Sequence, residues 1–342
     1  MHSRHQAHRS HDPRRVLWRA CSIGVVAATT ILLAGCLGPV RKLDALPPGQ
    51  FPETSDPSVV QVGDTYYVYG SNNHLRAPVF TTTDLSRSYS LAEKNAHTVE
   101  GMPTKPAWAA SPTQLWAPSV ARFGSRWAMF FSADRVHPPQ PQNPQCIGRA
   151  WADGPAGPFV PEPSPLHCGL GGTGGALDPE VVFDKWGAPY LLVAFGDTES
   201  PLHSIPLDGA ANLAGAPVAL LRRQHPWEYH FIEQPSMVYD PVRDSYVLTY
   251  SAGRWWEAGY STGIARCLGP TGPCVSDPSG PWVGASDGRT GPGGLSFFRD
   301  ADGATRAILA TFPAGGETTN GGRSASVLFV RFDPAMALST VK

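Results

Sequence analysis

Charge is scarce in this chain. Asp, Glu, Lys and Arg make up 16% of its 342 residues and the formal net charge at pH 7 is −1, so nothing in the composition speaks for nucleic acid or an anionic surface as partner. After the N-terminal segment no stretch offers a long apolar stripe of helical period, which leaves short strands as the building material. Zinc-type spacing is missing too: the six cysteines include no Cys-x-x-Cys and no matching His pair. The apolar run from Ile23 to Ala34 is too short to span a bilayer comfortably.

What the chain does have is one strand unit repeated. The copies begin Asp56-Pro57-Ser58-Val59-Val60, Ala117-Pro118-Ser119-Val120-Ala121, Asp178-Pro179-Glu180-Val181-Val182 and Gln234-Pro235-Ser236-Met237-Val238. A fifth, degenerate copy starts at Gly291-Pro292-Gly293-Gly294. The matched prolines lie 61, 61 and 56 residues apart, and Gly293 is matched to them 58 further on. Each start is followed by a polar turn and an aromatic or apolar strand, as in Gly63-Asp64-Thr65-Tyr66-Tyr67-Val68-Tyr69 or Gly124-Ser125-Arg126-Trp127-Ala128-Met129-Phe130. A period of about sixty holds four short strands with their turns, and five such units predict an all-β, five-bladed β-propeller over 51–342.

In a propeller the first strand of each blade lines the axis, so residues opening equivalent strands converge at one mouth. Asp56 and Asp178 are repeat-equivalent, and Glu233 stands one position before the equivalent Gln234. Either Asp-Pro pair alone reads as a turn opener, and Glu233 alone as a solvated or ion-paired side chain. Together they differ, because three carboxylates around one axis repel one another and lose solvation, which a fold does not tolerate without return.

These residues carry a resemblance. Asp56-Pro57 with Tyr66 to Ser71, Trp116-Ala117-Pro118, Leu177-Asp178-Pro179, Ile232-Glu233 with Pro235, Tyr250-Ser251-Ala252-Gly253, Gly259 to Ala265 and the closings Gly157-Pro158-Phe159 and Gly280-Pro281-Trp282 resemble, in order and spacing, the family 43 glycoside hydrolases. That family of five-bladed propellers includes arabinanases, arabinofuranosidases, xylosidases and galactofuranosidases, and the likeness covers 51–333. It implies Asp56 as general base, Glu233 as general acid and Asp178 as the residue that orients the acid and raises its pKa. An inverting glycosidase needs one ionised carboxylate to activate water and one protonated carboxyl to protonate the leaving oxygen, roughly 6.5 to 9.5 Å apart. A third carboxylate beside the acid disfavours its ionisation.

Two places depart from the pattern. Family members often carry a Gly-Pro-Gly-His run in the fifth blade, where the His holds a buried water or ion; here Gly294 ends the run. No metal and no cofactor is therefore expected. Ala307-Ile308-Leu309-Ala310-Thr311-Phe312 also lacks the Tyr-His ending. A glycan-binding propeller without catalysis is the alternative reading, which would keep aromatic platforms but not need all three acids. The fructan-processing propellers, which use a covalent nucleophile, carry Arg-Asp-Pro and Glu-Cys where this chain has Leu177-Asp178-Pro179 and Glu233-Gln234.

Ten Trp and ten Tyr serve mostly as packing between blades, with some left as sugar platforms. Trp116, at an inner-strand start, is the first choice for a wall of the pocket, followed by Trp255 and Trp256. Arg323 in Gly321-Gly322-Arg323 is a candidate donor to sugar hydroxyls or to the acids, with a surface ion pair as the other reading.

The N-terminus reads as an export signal. Arg14, Arg15 and Arg19 precede the apolar run, which ends in Leu33-Ala34-Gly35-Cys36, a bacterial lipobox. The expected division is a signal peptide over 1–35, a tether over 36–50 with Cys36 lipidated, and the propeller from 51. A plain secretory signal is the other reading, and Arg14-Arg15 partly matches twin-arginine export. The expected place is outside the cytoplasm, on the membrane only through the lipid, as a monomer acting on an oligo- or polysaccharide. Setting aside Cys21 and Cys36 leaves four cysteines with three possible pairings, of which the local one joins Cys146 to Cys168 and Cys267 to Cys274. Chain entropy gives these loops roughly 3 and 2.5 kcal/mol.

Overall fold

A computed structural model describes residues 51–138, 142–170, 175–196, 201–285, 290–313, 322–333 and 336–341. The expected signal peptide over 1–35 and the expected tether over 36–50, with Cys36, lie outside these residues. Five antiparallel four-stranded sheets follow one another along the chain. They are β1–β4 (Ser58–Val62, Thr65–Tyr69, Pro78–Thr82, Thr98–Glu100), β5–β8 (Trp116–Phe123, Arg126–Asp134, Gln145–Ala152, Val160–Pro161), β9–β12 (Ala176–Phe183, Pro189–Phe195, Leu202–Pro206, Val218–Leu221), β13–β16 (Phe231–Asp240, Ser245–Gly253, Ser261–Cys267, Cys274–Ser276) and β17–β20 (Thr290–Arg299, Thr305–Phe312, Ser324–Asp333, Met336–Val341). The fold is a five-bladed β-propeller.

The turns between first and second strands follow from their residues. Val62 pairs with Thr65 and Phe123 with Arg126, so the loops Gly63-Asp64 and Gly124-Ser125 hold two residues each. Gly63 and Gly124 take φ of 59° and 61°, the positive value that a type II′ turn requires at its first loop residue.

Apolar side chains fill the wedges between blades. Five clusters serve five wedges: Tyr69 and Val79 with Val120 and Met129; Phe123 and Phe130 with Leu191 and Val193; Leu192 with Met237 and Leu248; Val247 and Ile264 with Leu295 and Leu309; and Val59, Val68 and Phe80 with Phe298 and Ile308. The last wedge closes the ring. There Phe51 exchanges backbone hydrogen bonds with Ala325 at 3.0 and 2.9 Å, which fastens the start of the propeller to its fifth blade.

Two blades share a packing device. On β7, a Cβ at Gly148 would press on Phe131 and lie 2.6 Å from Trp108 Cζ2; on β15, one at Gly263 would lie 2.5 Å from Tyr250 Cζ and 2.6 Å from Trp227 Cη2. In each case the indole stacks on an aromatic ring of the neighbouring strand, Phe131 of β6 or Tyr250 of β14, at 6.0 Å, and the missing side chain is what admits the pair. Gly148→Val is expected to cost about 1–3 kcal/mol by overpacking, read as a lower midpoint of thermal unfolding. An unchanged midpoint would mean that the rings move aside freely.

The repeat also fixes where the strands bend. In four blades the first strand slips register by one residue at the same place: Ala117-Pro118 stand opposite Phe131 alone, Asp178-Pro179 opposite Val193, Gln234-Pro235 opposite Tyr250, and Gly294-Leu295 opposite Leu309. In the first blade Ser71 N–H donates to the Ser55 carbonyl at 2.9 Å and Ser58 pairs with Tyr69, which leaves Asp56-Pro57 in the same position. The residue opening each bulge has positive φ: Asp56 48°, Ala117 46°, Asp178 54°, Gln234 50° and Gly294 65°. A bulge kinks the strand and re-aims a side chain, and a proline, lacking an N–H, is at home there. The fifth blade's equivalent residue is thus Gly294, 60 residues after Gln234, with Leu295 in the proline position. This moves the proline match from Gly293 to Leu295, two residues on, because without a proline the degenerate copy has no landmark to fix its phase.

Candidate active site

The five bulges bring Asp56, Ala117, Asp178, Gln234 and Gly294 to the wall of one axial cavity, with about 300 Å³ of empty space counting its open mouth. Side chains two residues apart share a strand face, so Ser58, Glu180, Ser236 and Ser296 line the next layer. Glu180 accepts hydrogen bonds from Ser236 Oγ at 3.2 Å and Ser296 Oγ at 2.8 Å, and enclosure in the channel pushes its carboxyl up to about 7. Sequence reasoning passed over Glu180, although alternation from Asp178 could have found it.

Serines stitch neighbouring blades around the first ring. Ser71 Oγ accepts from Ala117 N–H at 2.9 Å and donates to Asp56 Oδ2. Ser132 Oγ accepts from Asp178 N–H at 2.9 Å, and Ser251 Oγ from Gly294 N–H at 2.8 Å. Between the third and fourth blades the acceptor is Asp178 itself, whose Oδ2 takes the N–H of Gln234 at 3.1 Å. Asp178 thereby holds the peptide that follows Glu233.

The three acids sit in different surroundings. Asp56 is half-buried, while Asp178 and Glu233 are buried. Burial first, then repulsion by Glu233 and Asp56, pushes Asp178 well above the usual carboxylate range. Burial also raises Glu233, to about 7; a hydrogen bond from Tyr260 works against it, Asp56 adds to it, and Arg323 lowers it. The Tyr260 hydroxyl lies 2.6 Å from Glu233 Oε1 and 3.0 Å from Gln234 Oε1. Tyr260, immediately before β15, belongs to no repeated start and was not singled out in the sequence.

The remaining candidates divide. Trp116 is half-buried and opens β5 at the position Glu233 holds in β13, each immediately before its bulge. Trp255 and Trp256 are exposed and meet edge to face at 5.2 Å, and Trp256 leans on Phe231 at 6.4 Å, two residues from Glu233. Arg323 is buried, not at the surface: it donates to the carbonyls of Trp255 at 3.2 Å and Ala310 at 3.1 Å, and to that of Gly291, with its guanidinium 5.1 Å from the Tyr260 ring centroid. Cys146 is bonded to Cys168 and Cys267 to Cys274. Among the described residues no group of three or more His, Cys, Asp or Glu is placed to hold a metal.

The family model for glycosyl hydrolases family 43 matches residues 52–334. The chain belongs to this family. It is 28% identical over 268 residues to an extracellular endo-α-(1→5)-L-arabinanase of Thermotoga petrophila, covering 69% of this chain and 53% of the relative. An extracellular endo-α-(1→5)-L-arabinanase 2 of Bacillus subtilis is 28% identical over 271 residues, covering 72% and 53%. The chain thus spans about half the length of the curated relatives it matches. Among solved structures, a thermostable family-43 glycoside hydrolase superposes with a TM-score of 0.72 at 21% identity, over 87% of this chain and 96% of that one, a likeness of fold.

Proposed function

We propose that this family 43 chain is an inverting glycosidase cleaving furanosidic or pentosidic bonds, with α-(1→5)-linked arabinan the first substrate to try given what its relatives are named for. The observation that carries the reading is the unequal burial of acids at one mouth. Asp56 keeps access to solvent as a water-activating base must, while Glu233 is enclosed and held to about 7, where a carboxyl still carries the proton an acid catalyst donates. Asp178 orients the acid through the Gln234 peptide. The buried pair of Asp178 and Glu233 repel each other, so one proton stays between them near neutrality.

Trp116 and the Trp255–Trp256 edge are the sugar platforms in this reading. Arg323 acts from behind, as a positive charge under Tyr260 and Glu233. Incubating the protein with a panel of p-nitrophenyl pentosides and furanosides and with linear arabinan tests the proposal. Release of sugar from none of them would leave the glycan-binding alternative standing.

The place of action belongs to the same proposal. The lipobox at Cys36 puts the propeller outside the cytoplasm on an acyl anchor, and the two disulfides suit an oxidising compartment. Cys36→Ala is expected to release the protein from the membrane fraction into the medium or to leave an uncleaved precursor. Unchanged membrane partition would remove the anchor.

A further inference from the structure

Two glycines on the fifth blade make room for two side chains of the fourth. A Cβ at Gly293 would press into the Tyr260 ring, 2.6 Å from Cδ1, and a Cβ at Gly294 would lie 3.3 Å from Gln234 Oε1 and 3.3 Å from the Asp56 Cα. The side chains so admitted form one chain of hydrogen bonds. Gln234 Nε2 donates to Asp56 Oδ1; Gln234 Oε1 accepts from Ser251 Oγ at 3.0 Å and faces the Tyr260 hydroxyl at 3.0 Å; that hydroxyl reaches Glu233 Oε1 at 2.6 Å.

We infer that Gln234 and Tyr260 are positioning residues that tie the orientation of Asp56 to the protonation state of Glu233. The inference rests on the assignment of Asp56 and Glu233 as base and acid. Tyr260 has one proton and two acceptors. When Glu233 is ionised, that proton goes to the carboxylate. When Glu233 carries its own proton, the carboxyl can donate to the tyrosine oxygen, and the tyrosine proton turns to Gln234 Oε1. The amide is then held from its oxygen end by both Ser251 and Tyr260, with its N–H fixed on Asp56. The state in which the acid is loaded is therefore the state in which the base is held. Burial and the Glu233 charge keep the phenol well above its ordinary value, so it remains a donor throughout.

The charged groups around Glu233 are Asp56, Asp178 and Arg323, and neither substitution below alters them. Removing the phenol in Tyr260→Phe takes away a donor to the carboxylate, so Glu233 should hold its proton to higher pH. Gln234→Leu does the reverse, because the tyrosine proton is left with Glu233 as its acceptor in either state. The full chain and both single variants and their double would be assayed on whichever panel substrate the wild type cleaves, with folding checked by circular dichroism. Each single variant should lower kcat about tenfold or more with KM within about twofold, and the double should be no slower than the slower single. The alkaline limb of the pH profile should move up in Tyr260→Phe and down in Gln234→Leu.

Multiplying losses in the double variant, or limbs that stay put or move together, would overturn the relay. Should Gln234→Leu fail to fold, Gln234→Met keeps the length and again lacks the donor. Titration of the ¹³C-labelled Glu233 carboxyl, identified by its disappearance in Glu233→Gln, reads the same displacements without substrate. A wild type inactive on the whole panel would thus sink the glycosidase reading alone, and an unmoved Glu233 titration would sink the relay alone.

Discussion

Asp56→Asn and Glu233→Gln are each expected to lower kcat on an unactivated glycoside by about a thousandfold or more, within and beyond the range usual for loss of a general acid or base, with the far-ultraviolet spectrum unchanged. Both substitutions keep shape and can still accept a hydrogen bond from Ser71 or Tyr260, so lost activity reports lost proton chemistry and not a collapsed site. The two variants should part company on an activated substrate. A p-nitrophenolate leaves without help from an acid, so Glu233→Gln should recover much of its rate there, whereas Asp56→Asn should stay slow because water still needs a base. Wild-type activity should fall as pH rises through about 7, where the Glu233 carboxyl loses its proton. Either variant keeping more than about a tenth of wild-type activity on the unactivated glycoside would remove that residue from the mechanism.

Much of this architecture was legible because each blade opens alike. Asp-Pro, Ala-Pro and Gln-Pro recur at the one point where a strand must bulge, so the repeat marks both the blade count and the axial ring. The positive φ at Ala117 and Gln234 was not legible, since neither residue type announces a left-handed backbone. The fifth blade was misphased by two residues because Leu295 stands where the other blades have proline. Tyr260 and Gln234 show a deeper limit. Their roles arise from side chains of one blade entering space that glycines of the next leave open, and such complementarity between strands 30 or more residues apart has no periodic signature. Arg323 illustrates the same point in reverse: a Gly-Gly-Arg loop reads as surface, yet the guanidinium is buried against Tyr260 and three backbone carbonyls. The disulfides were accessible to reasoning because short loops close most readily and both pairs were local.

The sugar released by the wild type is expected to appear first with the anomeric configuration opposite to that of the substrate. If Asp56 activates water while Glu233 protonates the leaving oxygen, bond making and bond breaking occur on opposite faces of the anomeric carbon in one step, and that carbon inverts. Were Asp56 instead a nucleophile, the two carboxyls would stand roughly 5 to 5.5 Å apart, a glycosyl-enzyme would form, and a second displacement would restore the configuration. Ser71 and Gln234 both donate hydrogen bonds to the Asp56 carboxylate, which fixes its oxygens in place under either mechanism. Proton NMR at early times, before the free sugar equilibrates, separates the two outcomes, and added methanol gives a second reading, because only a glycosyl-enzyme passes its sugar efficiently to an alcohol. A first-formed product that keeps the substrate's configuration, or methyl glycoside as a major product, would make Asp56 a nucleophile and the third acid something other than the keeper of a one-step mechanism.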